Sequence, residues 1–255
     1  MKEKKLNLEK KNLSKKRKKI KKRKSYFKNL GDFLLNLFFP ISCYGCEING
    51  TYLCEECFKT IKFQEKKTKS FNLKRENLKE IFIAGDYDNK LLAKLITAFK
   101  YEGIKNIGDD LGKFLNFFWD GKMKIIKLED EYLALRLENA LIIPLPLTKT
   151  RRKERGFNQA EILALNFCRE FSAEIFLGLK RKGRKKHQAS LNEKQRLKNV
   201  EGQFFLPEKE RSFVLNRDII LIDDVITTGA ALNEAARILK EAGAKEVFAL
   251  VLAKG

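Results

Sequence analysis

The chain has 255 residues, 44% of them hydrophobic and 34% charged, and a formal net charge of +21. That length holds one sizeable α/β domain plus a small module, and no apolar run approaches the length of a membrane span. A single histidine, His187, excludes a three-histidine metal site within one chain and leaves only one candidate for a Ser-His-Asp or Cys-His relay.

Residues 1–29 hold fifteen Lys or Arg against two Glu, so this head carries +13 of the net charge. It reads as a basic, disordered arm. Two roles stay open for it: binding nucleic acid or an anionic surface through counterion release, and serving as a solubilising lysine-rich tail. Leu30 to Ile41 reads as an amphipathic helix. Asp32, Asn36 and the Phe38-Phe39-Pro40 ending argue against a cleaved signal peptide. The expected compartment is the cytoplasm, where thiols stay reduced.

Cys43-x-x-Cys46 and Cys54-x-x-Cys57 frame seven residues. Two such pairs set four thiolates on two knuckle turns, the arrangement that tetrahedral Zn²⁺ requires. A redox dithiol needs only one pair, and a disulfide needs a secreted context. Four ligands close the coordination shell, so the site reads as structural, within a zinc-binding module over 30–63. Cys168 lies inside a helical pattern and reads as a packed side chain.

A polar, lysine-rich stretch over 64–80 reads as a linker, and 81–255 as the main domain. Ile81 to Tyr87 reads as a strand, Leu91 to Phe99 as a helix and Leu111 to Trp119 as a second helix. Residues 120–139 are polar and irregular, and read as the end of that helix plus a connection. Leu141 to Leu147 is a strand interrupted by Pro144 and Pro146, Phe157 to Phe171 a helix, Ala173 to Leu179 a strand, and Phe204 to Leu206 a short apolar element. A strand, turn and helix then run from Ile219 to Ala242, and Val247 to Leu252 closes the sheet. Strands alternating with helices imply an α/β fold, a parallel sheet with helices on both faces.

Two basic segments interrupt this pattern. Thr148 to Gln159 follows the proline-stiffened strand, and its cations suit a pyrophosphate. The second has six basic residues among the seven from Lys180 to Lys186 and continues through Gln188 and Leu191 to Arg196 and Asn199. Each reads either as a ligand contact or as a solvated surface loop.

The most informative stretch is Asp218 to Ala230. The apolar run Ile219 to Ile222 ends at Asp223 and Asp224, and Thr227-Thr228-Gly229 turns into a helix. The turn lies at the carboxyl end of a buried parallel strand, where open α/β sheets bind ligands. Helix-terminal N–H groups make an anion site there. The two hydroxyls add donors, Gly229 lets the backbone come close, and the two carboxylates can grip a diol. A phosphate cradle beside a diol clamp suits a ribose 5-phosphate.

This segment resembles the ribose-phosphate signature of type I phosphoribosyltransferases, which bind phosphoribosyl pyrophosphate (PRPP). Asp-Asp-Val-x-Thr-Thr-Gly, the paired cysteines, the Arg-x-x-x-Arg-Gly-Phe-Asn-Gln stretch from Arg152 and the Gln188…Leu191…Arg196…Asn199 pattern together resemble the ComF family over about residues 30–255. The resemblance implies a small zinc-ribbon-like module ahead of a type I phosphoribosyltransferase-like domain. It implies pentosyl-transfer (glycosyltransferase) chemistry with PRPP and Mg²⁺, and links to transformation and DNA uptake in natural competence. Single-stranded DNA and competence DNA-translocation proteins are the partners it implies. Asp223 and Asp224 would be catalytic. Thr227, Thr228, Gly229, Ala230 and Ala231 would bind PRPP, and Lys149, Arg151 and Arg152 would form the pyrophosphate loop. Arg181, Arg184, Lys185, Lys186 and Gln188 would fall in a flexible hood. The family usually has a Thr or Ser hydroxyl where this chain has Ala231, a lost phosphate bond worth about 1.5–3 kcal/mol. A metabolic phosphoribosyltransferase acting on a nitrogen nucleophile and a ligand-free scaffold are the rival readings. The sequence shows no acceptor-recognition loop.

Overall fold

A computed structural model of the chain describes residues 41–64, 73–183 and 202–255. The basic arm, the expected helix up to Pro40, and Arg184, Lys185, Lys186 and Gln188 of the expected hood lie outside the described residues. The chain divides into two compact units between Tyr52 and Leu53.

The described part of the first unit is a tight knuckle. Ser42 and Asn49 form an antiparallel bridge. The Cys43 N–H donates to the Ile48 carbonyl at 2.9 Å, and the Glu47 N–H donates to the Cys43 carbonyl at 2.9 Å.

The second unit opens with helix α1 (Glu55–Thr60) and then builds a parallel sheet. Its strands are β1 (Ile81–Asp86), β2 (Leu141–Pro144), β5 (Ile219–Ile226) and β6 (Val247–Lys254), in the order β1-β6-β5-β2. All three pairings are parallel. Ile219 to Ile222 and Val247 to Ala253 are fully buried, as a sheet covered on both faces requires. Adjacent strand residues point to opposite faces. Ile219, Leu221, Val247, Ala249 and Val251 therefore share one core with Leu232, Ala235, Ala236 and Leu239 of helix α7 (Ala230–Glu241). The other face carries helices α2 (Lys90–Tyr101), α3 (Ile107–Glu129) and α6 (Gln159–Phe171). There the Phe82 ring meets Trp119 edge-on at 5.2 Å, and Trp119 meets Phe167 at 5.6 Å.

Several elements depart from the sequence expectation. The polar stretch 120–139 is helical: α3 continues to Glu129, and α4 (Glu131–Glu138) follows. Asp130 caps α4 by accepting the Leu133 N–H at 2.9 Å. Arg136 donates through Nε to Asp218 Oδ2 at 2.8 Å and through Nη2 to the other oxygen, locking α4 to the start of β5. These partners lie far apart in sequence, so periodicity did not reveal the helix. The expected strand 173–179 reduces to a single parallel bridge between Ile175 and Ile142. The Phe176 ring folds onto Gly178, where a Cβ would meet it at 2.0 Å. Lys180–Arg181 (β3) instead pairs antiparallel with Phe204–Phe205 (β4), and a 3-10 helix (Glu208–Phe213) leads back to the sheet. The basic stretch after β2 is itself a helix, α5 (Lys149–Arg155), capped by Thr148 and ended by Gly156 at φ 76°.

Residues 73–80, within the expected linker, are stitched to the sheet domain. Leu73 and Leu78 enter its core. The Lys79 N–H donates to the Val247 carbonyl at 2.8 Å, and the Ala249 N–H donates to the Glu80 carbonyl at 3.0 Å. Among the described residues, no helix is long and apolar enough to cross a membrane.

Candidate functional site

β5 delivers its two carboxylates to opposite sides of the sheet, following the alternation of strand residues. Asp223 lies on the side of α7 and is half-buried. One of its oxygens accepts the Asp224 N–H at 2.9 Å. Burial, and next the adjacent Asp224 carboxylate, push the Asp223 carboxyl up to about 7, against the Asp224 N–H and the charges of Lys100 and Arg181. Asp224 is buried on the side of α2 and α6. Its Oδ1 accepts the Val225 N–H at 2.6 Å and lies 3.1 Å from Lys100 Nζ. Its Oδ2 lies 4.0 Å from Arg155 Nη1.

The turn beyond β5 carries Thr227, exposed, and Thr228, half-buried. Gly229 precedes α7 at φ 75°, ψ −4°, a left-handed conformation that a side chain would strain. The Lys74 carbonyl also stands where a Gly229 Cβ would be, 2.7 Å away. The Thr228 hydroxyl accepts the Ala230 N–H at 3.4 Å. The first amides of α7 have no preceding helical carbonyls and bear the positive end of the helix dipole. Ala230 is buried, while Ala231 is partly buried against the core.

Two covering segments are pinned to α7 just past this turn. The Lys74 N–H donates to the Thr228 carbonyl at 2.9 Å, and the Asn77 N–H donates to Asn233 Oδ1 at 2.8 Å. Buried Glu234 accepts the Gly202 N–H at 2.7 Å and pairs with Arg237.

Lys149, Arg151 and Arg152 all stand exposed on α5, and Arg152 pairs with Glu161 at 3.2 Å. Lys149 and Arg152 rim a pocket of about 680 Å³, with Lys180, Arg181 and Lys182 across from them and Pro146, Leu179 and Phe205 in its lining. Arg181 stacks on Phe204 at 4.8 Å and donates to Gln203 Oε1 through Nη2 at 3.0 Å. The acid pair, the phosphate turn and the basic helix thus leave the same carboxyl edge of the sheet.

Sequence reasoning missed Lys100, Arg155 and the Lys74 backbone. Lys100 follows the helical pattern by one residue, and Arg155 belongs to a run of cations with nothing to single it out. Both are selected by a buried carboxylate on another element.

The sulfur atoms of Cys43, Cys46, Cys54 and Cys57 lie within 4.8 Å of one another. A tetrahedral ion with bonds of about 2.3 Å would space four sulfurs at about 3.8 Å, so the donor set fits a metal such as zinc. Cys54 caps α1, and its sulfur accepts the Cys57 N–H at 3.5 Å. Cys168 is half-buried, and burial pushes its thiol up to about 11, which suits packing better than reactivity.

A family model, the phosphoribosyl transferase domain, matches residues 153–255. Competence protein F of Haemophilus influenzae is 28% identical over 217 residues, covering 83% of this chain and 90% of that protein. Competence protein ComFC of Streptococcus pneumoniae is 33% identical over 54% of this chain and 61% of its own length. ComFC of Bacillus subtilis is 31% identical over 61% of this chain and 56% of its own. This chain therefore spans less than two thirds of either ComFC protein. The chain thus carries a phosphoribosyl transferase domain behind a four-cysteine cluster and is similar to competence protein F along most of that protein's length.

Proposed function

We propose that the sheet domain binds PRPP at the carboxyl end of β5, and that the protein handles incoming single-stranded DNA during natural competence. The observation that carries the PRPP reading is the junction of Asp223, the Gly229 turn and the α7 N-terminus. Backbone amides there suit the 5-phosphate, and Asp223, on β5 ahead of the turn, would take a ribose hydroxyl. Cleavage at the sugar C1 would build positive charge on the ring and negative charge on the departing pyrophosphate, and an ionised carboxylate beside the ring favours the former. Mg²⁺ bound with PRPP would add neutralising charge at the pyrophosphate. Lys149, Arg151 and Arg152, exposed on α5, would add to it.

The names of the aligned relatives support the competence role. The basic pocket between α5 and β3 offers cations and the Phe205 ring, a pairing that suits a nucleic-acid strand. The arm over 1–29, with fifteen Lys or Arg, would add cations for such a strand. The cysteine cluster is read as a structural zinc site in a module over 30–63, with 64–80 joining it to the domain over 81–255, and the cytoplasm as the compartment.

Calorimetry with PRPP and Mg²⁺ tests the ligand. Wild type is expected to bind and Asp223→Asn to lose most of the affinity; wild type with no heat of binding would end the reading. Transformation frequency in a naturally transformable host carrying only the Asp223→Asn protein tests the role.

A second reading, transfer of the phosphoribosyl group to a nitrogen nucleophile, is favoured by the raised Asp223 carboxyl. A group titrating near neutrality suits taking a proton from the acceptor. Pyrophosphate release from PRPP with a defined acceptor would select it.

A further inference from the structure

A second pocket, of about 560 Å³, lies within the sheet-domain unit where α1, α3 and the end of α6 meet. α3 and α6 press together at Gly108 and Gly112, where a Cβ would stand 2.6 Å from Ile162 and 2.8 Å from Asn166. Beyond that crossing, α3 lines the pocket with Lys113, Asn116, Phe117 and Asp120, spaced so that they share one helix face. Phe58 and Phe171 supply aromatic walls from the other two helices. Phe117 is 67% exposed, and its ring meets Phe58 edge-on at 6.2 Å. An exposed ring beside two further aromatic walls makes an apolar patch inside a polar rim, the form of a contact surface.

The rim is acidic, in a chain whose net charge is +21. Glu55, Asp110, Asp120 and Glu170 face one cation, Lys113. Asp120 is engaged by Lys124 at 2.7 Å, and Lys113 stands 3.9 Å from Asp110. Burial pushes the Asp110 carboxyl above its ordinary value, against the charge of Lys113. Glu55 and Glu170 are exposed and have no ion pair among the described residues. Asn116 Oδ1 is shielded from water and accepts no hydrogen bond among the described residues. An acceptor in that state costs free energy until a donor meets it. Aromatic faces, carboxylates and an unmet acceptor share one complement: a flat cation rich in N–H donors. The guanidinium of arginine is such a group, since it stacks on rings and forks onto a carboxylate.

We propose that this pocket docks an arginine side chain carried on a basic segment of a partner protein, with the guanidinium against Phe117 and its N–H groups shared between Glu170 and Asn116. Charge sets the partner's chemistry: four carboxylates repel a nucleic-acid strand and attract a cationic peptide. The place in the fold fits a second contact. α6 starts at Gln159 beside the carboxyl edge, and Glu170 stands about 17 Å further along it. Docking there leaves the β5 turn uncovered, so a partner and a ligand at that turn can be held together. The inference stands independently of the PRPP reading.

The probe is the acetylated, amidated pentapeptide Gly-Gly-Arg-Gly-Gly, titrated into the isotope-labelled full chain at low salt and followed by backbone NMR. About millimolar affinity is expected for one docked side chain, with shifts gathered over 110–120 and 170–171. Glu170→Gln and Phe117→Ala alter exposed positions, and each is expected to weaken the peptide about threefold to fivefold. Lys113→Ala removes the competing cation and is expected to tighten binding about twofold, a gain that damaged folding does not produce. Unchanged affinity in Glu170→Gln, shifts centred on other residues, or equal binding of Gly-Gly-Glu-Gly-Gly overturns the arginine pocket. Spermidine binding more tightly than the peptide assigns the pocket to a free polyamine and overturns protein docking. A dimer in sedimentation that Glu170→Lys dissolves assigns it to a second copy of this chain and overturns the partner likewise.

Discussion

The turn after β5 and the turn after β2 leave the same edge of one parallel sheet, yet they are built in opposite ways. The β5 turn is short and enclosed. Gly229 is buried against the Lys74 backbone, and the twelve-residue helix α7 follows directly. The β2 turn runs into a seven-residue helix whose Lys149, Arg151, Arg152 and Lys153 stand in solvent and whose closing glycine, Gly156, has nothing within 4 Å of its missing Cβ. The first turn suits a fixed anion cradle made of backbone; the second suits a mobile-ended supply of charge made of side chains. A ligand that must be gripped at one end and released at the other would need both.

The sharpest way to break this comparison is to add a methyl group to each turn. Gly229→Ala sets a Cβ at 2.7 Å from a backbone carbonyl in a left-handed residue, so denaturant unfolding is expected to show a loss of about 3 kcal/mol. Gly156→Ala meets only the backbone strain at φ 76°, and about 1 kcal/mol is expected. Equal losses would mean the two turns are constrained alike.

A pH series on Asp223→Asn comes next in size. A carboxyl raised to about 7 in the folded chain binds its proton more tightly there than when unfolded, where it titrates near 4. Its stabilising contribution is full below the unfolded value and disappears as pH climbs through about 7. Wild type should therefore lose about 2–3 kcal/mol relative to the Asn variant between pH 5 and pH 8. Parallel profiles would show that the carboxylate is already ionised across this range.

Ala231→Ser restores a hydroxyl at the start of α7 and is expected to tighten PRPP binding by about 1 kcal/mol, roughly fivefold. No change would place the ligand away from this helix end. The smallest effect belongs to the β2 side: Arg152→Ala breaks an exposed ion pair with Glu161 and should alter folding stability by less than about 0.5 kcal/mol, leaving any loss of ligand affinity readable by itself.

The parallel sheet was legible because β5 and β6 are apolar on both faces, and continuous apolar runs report burial without reference to a partner. The turn at Thr227 to Gly229 and the paired cysteines were legible because their chemistry is written within a few residues. Helix α4 was not, since its polar surface is held by Arg136 on Asp218, nor was the helical form of α5, hidden under a run of cations.

Residue order by itself determined which groups are available: four thiols in two knuckles, adjacent carboxylates at a strand end, and a glycine before a helix, each a short-range pattern. Only the tertiary structure decided which way those groups face. Strand alternation sends Asp223 and Asp224 to opposite sides of the sheet, and the ends of α2 and α5 supply Lys100 and Arg155 to the second acid. Coulombic partners are chosen by distance in space, and separation along a chain does not encode that distance.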